Sequence, residues 1–100
     1  MYVITARWFI KSSREKVLRA LEELARKVQS TEPDTWTYRV HTAAAGSLPP
    51  CSRNEVLFFE VYKDKKAFLA HVQGKAFTDF TRRYGKFFVP DLKDGPFVLV

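Results

Sequence analysis

The residue whose type and position best suit chemistry is His71, within the stretch EVYKDKKAFLAHVQGKAFTDF. An imidazole titrates near neutrality, so it can accept a proton from a weak acid such as a phenol. Phe68, Leu69 and Val72 centre the buried face of the helix predicted here. His71 lies at the edge of that face, which predicts a base or hydrogen-bond partner that leans into a cleft. The alternative is a histidine that fixes the fold by capping a helix or bonding to the sheet.

Aromatic side chains elsewhere in the chain could line an apolar cleft for a flat aromatic ligand. Arg39, in a predicted strand, could stabilise a phenolate, although a solvated or interface arginine is the simpler interpretation. Glu60 could orient His71, but pairing with an arginine of a dimer partner is favoured. For the aromatic residues, the alternative is that they belong to the core and to a dimer interface. The aromatic candidates are Trp8, Trp36, Tyr38, Tyr62, Phe77 and Phe80.

Composition indicates a single domain spanning residues 1–100, with 46% hydrophobic residues to form a core. The one cysteine, Cys51, excludes an intrachain disulfide and a cysteine-based metal cluster. The net charge of +6 is spread along the chain among acidic residues, which argues against nucleic-acid binding. The first residues lack the pattern of a signal peptide, and no apolar run is long enough to span a membrane. We therefore expect a soluble, cytoplasmic protein with no membrane partner.

Hydrophobic periodicity predicts two helices and four strands. The first helix begins at a capping box formed by Ser12 and Glu15 and ends before Pro33. The second helix has Asp64 as its N-cap and a break or bend at Gly74. The order β-α-β-β-α-β is the ferredoxin-like α+β arrangement, an antiparallel four-stranded sheet with both helices on one face. The predicted strands span Tyr2–Ile10, Thr35–His41, Glu55–Tyr62 and residues 96–100.

The third predicted strand is apolar on both faces, which suggests a dimer. Two helices on one side of the sheet can cover only one of these faces. We therefore expect a homodimer that packs sheet against sheet. One face carries Leu57, Phe59 and Val61, and the other carries Val56, Phe58 and Tyr62.

The third strand and the following helix also carry a motif of the form E-x-[WY]-x-D-x-x-A-[FL]-x-x-H. This motif resembles the signature of the antibiotic biosynthesis monooxygenase family, and the stretches EPDTWTYRV and GKAFTDF are also similar to that family. The resemblance covers essentially the whole chain. It implies a dimeric α+β barrel with a small-molecule cleft between the helices and the sheet of each protomer. The motif residues are Glu60, Tyr62, Asp64, Ala67, Phe68 and His71.

Comparison with the branches of this family indicates which of its reactions the resemblance implies for this chain. Heme-degrading members carry Trp at the position of His71 and a heme-ligating His at that of Thr81, so no heme is expected. Polyketide oxygenases carry Asn, Trp and Tyr where this chain has Phe58, Tyr62 and Phe68, and only the Trp-to-Tyr replacement is mild. The quinol-monooxygenase-like branch shares the E-x-[WY]…A-x-x-x-H spacing and is the most similar in pattern.

The resemblance therefore implies a monooxygenase, without cofactor or metal, that acts on a phenolic, quinol or polyketide-type aromatic small molecule. Such chemistry needs a substrate that becomes electron-rich on deprotonation and can itself donate an electron to O₂. His71 would be the base. The alternative is a non-oxidative isomerase, a cyclase or a small-molecule-binding protein of the same fold. An RNA-binding module is disfavoured, because the third strand lacks the glycines of that class and carries Glu60.

Overall fold

The computed structural model describes residues 1–89 of the chain. In these residues β1 (Tyr2–Ile10) leads into α1 (Arg14–Thr31), and β2 (Thr35–Thr42) is followed by β3 (Glu55–Tyr62). Next come α2 (Lys65–Gln73), α3 (Lys75–Tyr84), a 3₁₀ turn (Gly85–Phe87) and β4 (Phe88–Val89). The strand predicted over residues 96–100 lies outside the described residues.

The strands form one antiparallel sheet in the order β2-β3-β1-β4. This is the predicted ferredoxin-like α+β fold, and the predicted bounds of β1 and β3 are confirmed. β2 pairs with β3 so that Tyr38 lies opposite Glu60. A bulge at Trp36 separates this register from the pair formed by Thr35 and Tyr62. The register places Tyr38, Glu60 and Tyr62 on the side of the sheet that the helices cover.

β4 pairs with the end of β1, with Phe88 opposite Ile10 and Val89 opposite Phe9, where the sequence predicts no strand. Phe88 is buried, and its ring centroid lies 6.2 Å from that of Phe80. Two residues are too few to show an alternating pattern in the sequence. Tertiary packing, not a sequence pattern, therefore defines this strand.

α1 packs on the sheet through an apolar stripe with helical spacing, as predicted. The capping box predicted at its start, formed by Ser12 and Glu15, is wrong. The N-cap is Ser13, whose φ of 56° is left-handed and whose side chain makes no capping hydrogen bond. A capping hydroxyl reaches the amides of the first turn from an extended N-cap backbone, and the left-handed turn removes that geometry. The buried residues of the stripe are Val17, Leu21, Leu24 and Val28.

The two faces of the sheet differ as the alternating pattern of β3 predicts. The helices bury one face. The opposite face, here called the open face, is partly apolar and exposed in the single chain. The residues of β3 buried under the helices are Val56, Phe58, Glu60 and Tyr62. The exposed apolar residues of the open face are Phe9, Leu57, Phe59 and Val89.

Candidate functional site

α2 is a nine-residue helix whose inner face carries His71. Asp64 caps its start, where the carboxylate accepts a first-turn backbone N–H at 2.8 Å, and Gly74 ends it. The inner face is formed by Phe68 and His71, and His71 is only 2% exposed. Leu69, in contrast, is 44% exposed. The predicted places of Leu69 on the buried face and of His71 at its edge are therefore wrong.

Aromatic rings surround His71 and account for its burial. The imidazole centroid lies 4.9 Å from the ring of Tyr38, 5.5 Å from that of Tyr62 and 5.2 Å from that of Phe77. These rings come from β2, β3 and α3, so tertiary packing decides which face of α2 turns inward. Three of the aromatic residues predicted to line a cleft are thereby brought around His71.

The hydrogen-bond partner of His71 is Glu32, the residue that follows α1. Its Oε1 lies 2.8 Å from His71 Nδ1 and accepts the hydroxyl of Thr35 at 2.9 Å. The side chain of Glu32 is 21% exposed, whereas that of His71 is 1% exposed. The carboxylate therefore stands between the buried imidazole and solvent.

Burial lowers the pKa of His71 below its ordinary value of 6.5, and the Glu32 carboxylate opposes this shift only in part. The imidazole is therefore neutral at neutral pH. We assign its proton to Nδ1, because the carboxylate of Glu32 is the acceptor there. Nε2 is then left as an acceptor, and it is buried without a hydrogen-bond partner among residues 1–89. An orphaned buried acceptor costs stability.

A second acid, Glu60, is buried on the helix side of β3. Tyr62 Oη donates to Glu60 Oε1 at 2.5 Å. Burial raises the pKa of Glu60 to about 7, although the hydrogen bond from Tyr62 opposes this rise. The partner of Glu60 is thus Tyr62 rather than His71. The predicted pairing with a dimer partner's arginine is also wrong, because Glu60 lies away from the open face.

The phenols of Tyr38 and Tyr62 are both neutral in this interior. Burial, followed by the charge of the nearby Glu60, raises the pKa of both hydroxyls. The interior beneath α2 thus combines a neutral imidazole, two neutral phenols and a carboxyl group that exchanges protons near neutrality. Glu32 connects this set to the surface.

A groove of about 490 Å³, here called the Glu32 groove, opens beside the turn between α1 and β2. Glu32 and Thr35 line it from that turn, and Ala67, Ala70 and Gly74 line it from α2. The small residues of α2 leave room for a flat ring, and the volume is that of a small-molecule site. Glu32 thus links the buried His71 to a ligand-sized space. Further lining residues are Lys27, Thr31, Pro33, Asp34, Lys75 and Ala76.

The other predicted ligand-binding residues lie elsewhere. Trp36 is 55% exposed, and Arg39 is exposed on the open face of the sheet. Trp8 and Phe80 are buried in the core that α1 and α3 form with the sheet. The structure therefore groups Tyr38, Tyr62 and Phe77 with His71 and separates the remaining four residues from it.

Glu32 is the site residue that sequence reasoning missed. Glu32 begins the stretch EPDTWTYRV, which is similar to the family, but its contact with His71 joins positions 39 residues apart, so that stretch alone does not reveal the pair. The available signal was an acid directly before Pro33, at the end of α1 and at the start of a strand. A carboxylate held at such a turn can face the next helix, but only the fold shows that it meets α2.

Residues 1–89 contain no group of three or more His, Cys, Asp or Glu side chains placed to hold a metal ion. Within the same residues, no helix combines the length and the apolar character needed to cross a membrane.

A family model described as antibiotic biosynthesis monooxygenase matches residues 1–83. The fold is similar to a crystal structure named antibiotic biosynthesis monooxygenase, with a TM-score of 0.76, 21% identity and coverage of 100% of this chain and 94% of that chain. It is also similar to a protein of Mycobacterium tuberculosis, with a TM-score of 0.71, 15% identity and coverage of 100% and 91%. A provisionally named antibiotic biosynthesis monooxygenase of Nitrosomonas europaea gives a TM-score of 0.71, 16% identity and coverage of 100% and 94%. At these identities the likeness establishes the fold. No curated protein matches the chain in sequence.

Proposed function

Because this chain belongs to the antibiotic biosynthesis monooxygenase family, we propose that it is a cofactor-independent monooxygenase of an aromatic small molecule with a phenolic or quinol hydroxyl. The observation that carries the proposal is the 2.8 Å contact between Glu32 and His71 beside a groove of about 490 Å³. A carboxylate held by a buried imidazole at the edge of a ligand-sized space is suited to removing a hydroxyl proton.

Removal of that proton turns the aromatic ring into an electron-rich phenolate, which can donate an electron to O₂. In the oxidation of a naphthol to a quinone, one ring C–H carbon becomes a carbonyl carbon. One oxygen atom of O₂ enters the product, and the other leaves as water with the hydroxyl and ring hydrogens. The substrate supplies all four electrons, so the balance needs no further reductant.

In this proposal the base is the pair formed by Glu32 and His71. Glu32 receives the proton first, because it lines the groove whereas His71 lies behind it. His71 holds the carboxylate in place and stabilises the proton that the pair gains. The rings of Tyr38, Tyr62 and Phe77 pack around the imidazole and exclude water, which strengthens the hydrogen bond to Glu32.

Oxygen uptake tests the proposal. Protein treated with chelator and free of flavin is supplied with a panel of naphthols, quinols and anthrones. We expect uptake by the wild type, and a loss of about 10²-fold or more in both Glu32→Gln and His71→Gln. The double variant should be no slower than the slower single variant, because the two residues act as one base.

The matched controls are Glu22→Gln, an exposed acid on α1, and His41→Gln, the exposed second histidine. Both should retain the wild-type rate. Uptake that persists in both site variants, or an absence of uptake across the whole panel, contradicts the proposed function.

A non-oxidative isomerase or cyclase is the second candidate, and Glu60 favours it. An isomerase needs one group to take a proton and another to return one. Burial raises the pKa of Glu60 to about 7, and this carboxyl group lies in the same interior as His71 without lining the Glu32 groove. Turnover of a panel compound under nitrogen, with no change in its mass, would support this candidate.

A further inference from the structure

The Glu32 groove adjoins a second groove of about 420 Å³, here called the α1–α3 groove. The two share Lys27 of α1 and Lys75 and Ala76 of α3 as lining residues. A ligand in the Glu32 groove can therefore extend along the seam between α1 and α3. This seam lies on the helix side of the sheet, so a partner on the open face would leave it accessible.

The floor of the α1–α3 groove is apolar, whereas its exposed walls are mainly polar. Leu24 and Phe80 line it and are 4% and 6% exposed, and the ring of Tyr84 packs on Phe80 at a centroid distance of 5.3 Å. Of these three residues only Tyr84 is partly exposed, so its ring is the one on which a flat ligand can stack.

Acidic and basic side chains are unevenly distributed along the combined groove. Glu32 and Asp34 line its first end, whereas the α1–α3 groove carries four cationic side chains and two acidic ones. Of those two acids, Asp79 is already held by Lys75 at 2.6 Å and by Arg82 at 2.8 Å. The four cationic residues are Lys27, Lys75, Arg82 and Arg83, and the second acid is Glu23.

Lys27 is the cation best placed to meet a ligand anion. Within residues 1–89 its ammonium has no acidic partner at ion-pair distance, and it lies where the two grooves join. It precedes Glu32, the C-cap of α1, by five residues, which is about 7.5 Å of helix rise. Both side chains line the Glu32 groove, so one ligand with polar groups at opposite ends can meet both of them.

We propose that the natural substrate is an aromatic acid, whose hydroxyl meets Glu32 and whose carboxylate meets Lys27 across the junction of the two grooves. This inference rests on the proposed function and names its substrate class. Lys27 is then the residue that determines specificity, since a neutral phenol of the same shape would leave its charge unused.

Equilibrium binding tests the inference without turnover. The probes are 6-hydroxy-2-naphthoate and 2-naphthol, which differ by the carboxylate, titrated into the full chain by calorimetry under nitrogen. We expect the acid to bind the wild type about tenfold more tightly than the naphthol. Lys27→Ala should remove this preference, and Lys27→Arg should restore it. Arg26→Ala, which removes a neighbouring exposed charge of the same helix, should leave the preference unchanged.

Equal affinity for the two probes, no binding of the acid, or a preference that survives in Lys27→Ala would overturn the inference. These outcomes are separable from failure of the proposed function. If the protein prefers the acid but consumes no oxygen, the proposed oxygenase activity is refuted and the proposed ligand class stands. If the protein oxidises acids and neutral phenols with the same KM, the proposed oxygenase activity stands and the proposed ligand class is refuted.

Discussion

At the scale of single residues, the interior beneath α2 carries two ionisable groups whose proton affinities are shifted by the same cause. Burial favours the uncharged form of each, so it lowers the pKa of His71 and raises that of Glu60 to about 7. The two shifts act in opposite directions on the pH dependence of stability. Protonation of His71 favours the unfolded chain as the pH falls below 6.5, and ionisation of Glu60 favours it as the pH rises.

Glu60→Gln isolates the second of these effects. The stability that neutral Glu60 contributes is fully present below its unfolded pKa of 4.5 and is lost as the pH rises to about 7. The glutamine oxygen still accepts the Tyr62 hydroxyl but never ionises. At pH 8 the variant should exceed the wild type by on the order of 2–3 kcal/mol in free energy of unfolding, and at pH 4.5 the two should agree.

Urea unfolding at the two pH values measures this difference. Glu22→Gln, an exposed acid on α1, is the control and should show no pH-dependent gain. An equal effect of Glu60→Gln at both pH values would mean that the carboxyl does not titrate between them.

At the scale of elements, the break between α2 and α3 fixes the last turn of α2 and with it His71. Gly74 ends one helix and begins the other, and its N–H donates to the carbonyl of His71 at 3.0 Å. A Cβ at this position would lie 3.0 Å from the carbonyl oxygen of Ala70 and 3.2 Å from that of His71. Both of these neighbours are backbone atoms, which yield less readily than side chains.

Gly74→Ala should therefore lower the free energy of unfolding by about 1 kcal/mol and also slow the reaction, because the displaced turn carries His71. Gly46→Ala is the matched control. Its φ of 77° strains an alanine to a comparable degree, but the residue lies in the loop between β2 and β3. Chemical denaturation and oxygen uptake should show that both variants are destabilised and that only Gly74→Ala is slower. Equal rates in the two variants would contradict a positioning role for the break.

The sequence predicts elements well where periodicity is long and poorly where packing decides. The nine residues of β1, the eight of β3 and the apolar stripe of α1 repeat often enough to be identified. α2 has only two turns, so Leu69 and His71 compete for its inner face, and rings on β2, β3 and α3 settle the outcome. The family motif led to His71, and a second family-like stretch begins at Glu32, but only the folded chain shows that the two residues pair.

At the scale of the whole molecule, the open face has the composition of a surface that another protein covers. Leu57 and Phe59 are each 37% exposed there, Phe9 is 39% exposed and Val89 is 48% exposed. The register places these side chains on one side of the sheet. We propose that a second copy of the chain packs on this face, since contiguous exposed apolar surface marks an interaction site.

Phe59→Glu tests the proposed dimer, because it replaces an exposed apolar ring of this surface with a charged side chain that a covering partner would have to desolvate. Sedimentation equilibrium at micromolar concentration should give a dimer for the wild type and a monomer for the variant. Leu48→Glu, at a loop residue that is 91% exposed, is the control and should remain dimeric. A monomeric wild type, or a Phe59→Glu variant that still dimerises, would contradict this account of the open face.

The central claim is that the pair of Glu32 and His71 deprotonates an aromatic hydroxyl so that the substrate itself reduces O₂. The most direct measurement is mass spectrometry of the product formed under ¹⁸O₂ by protein free of metal and flavin. We expect one ¹⁸O atom in each product molecule, and product formation should be slower in both Glu32→Gln and His71→Gln. A product without ¹⁸O that forms equally well under nitrogen would contradict it and would identify a non-oxidative enzyme.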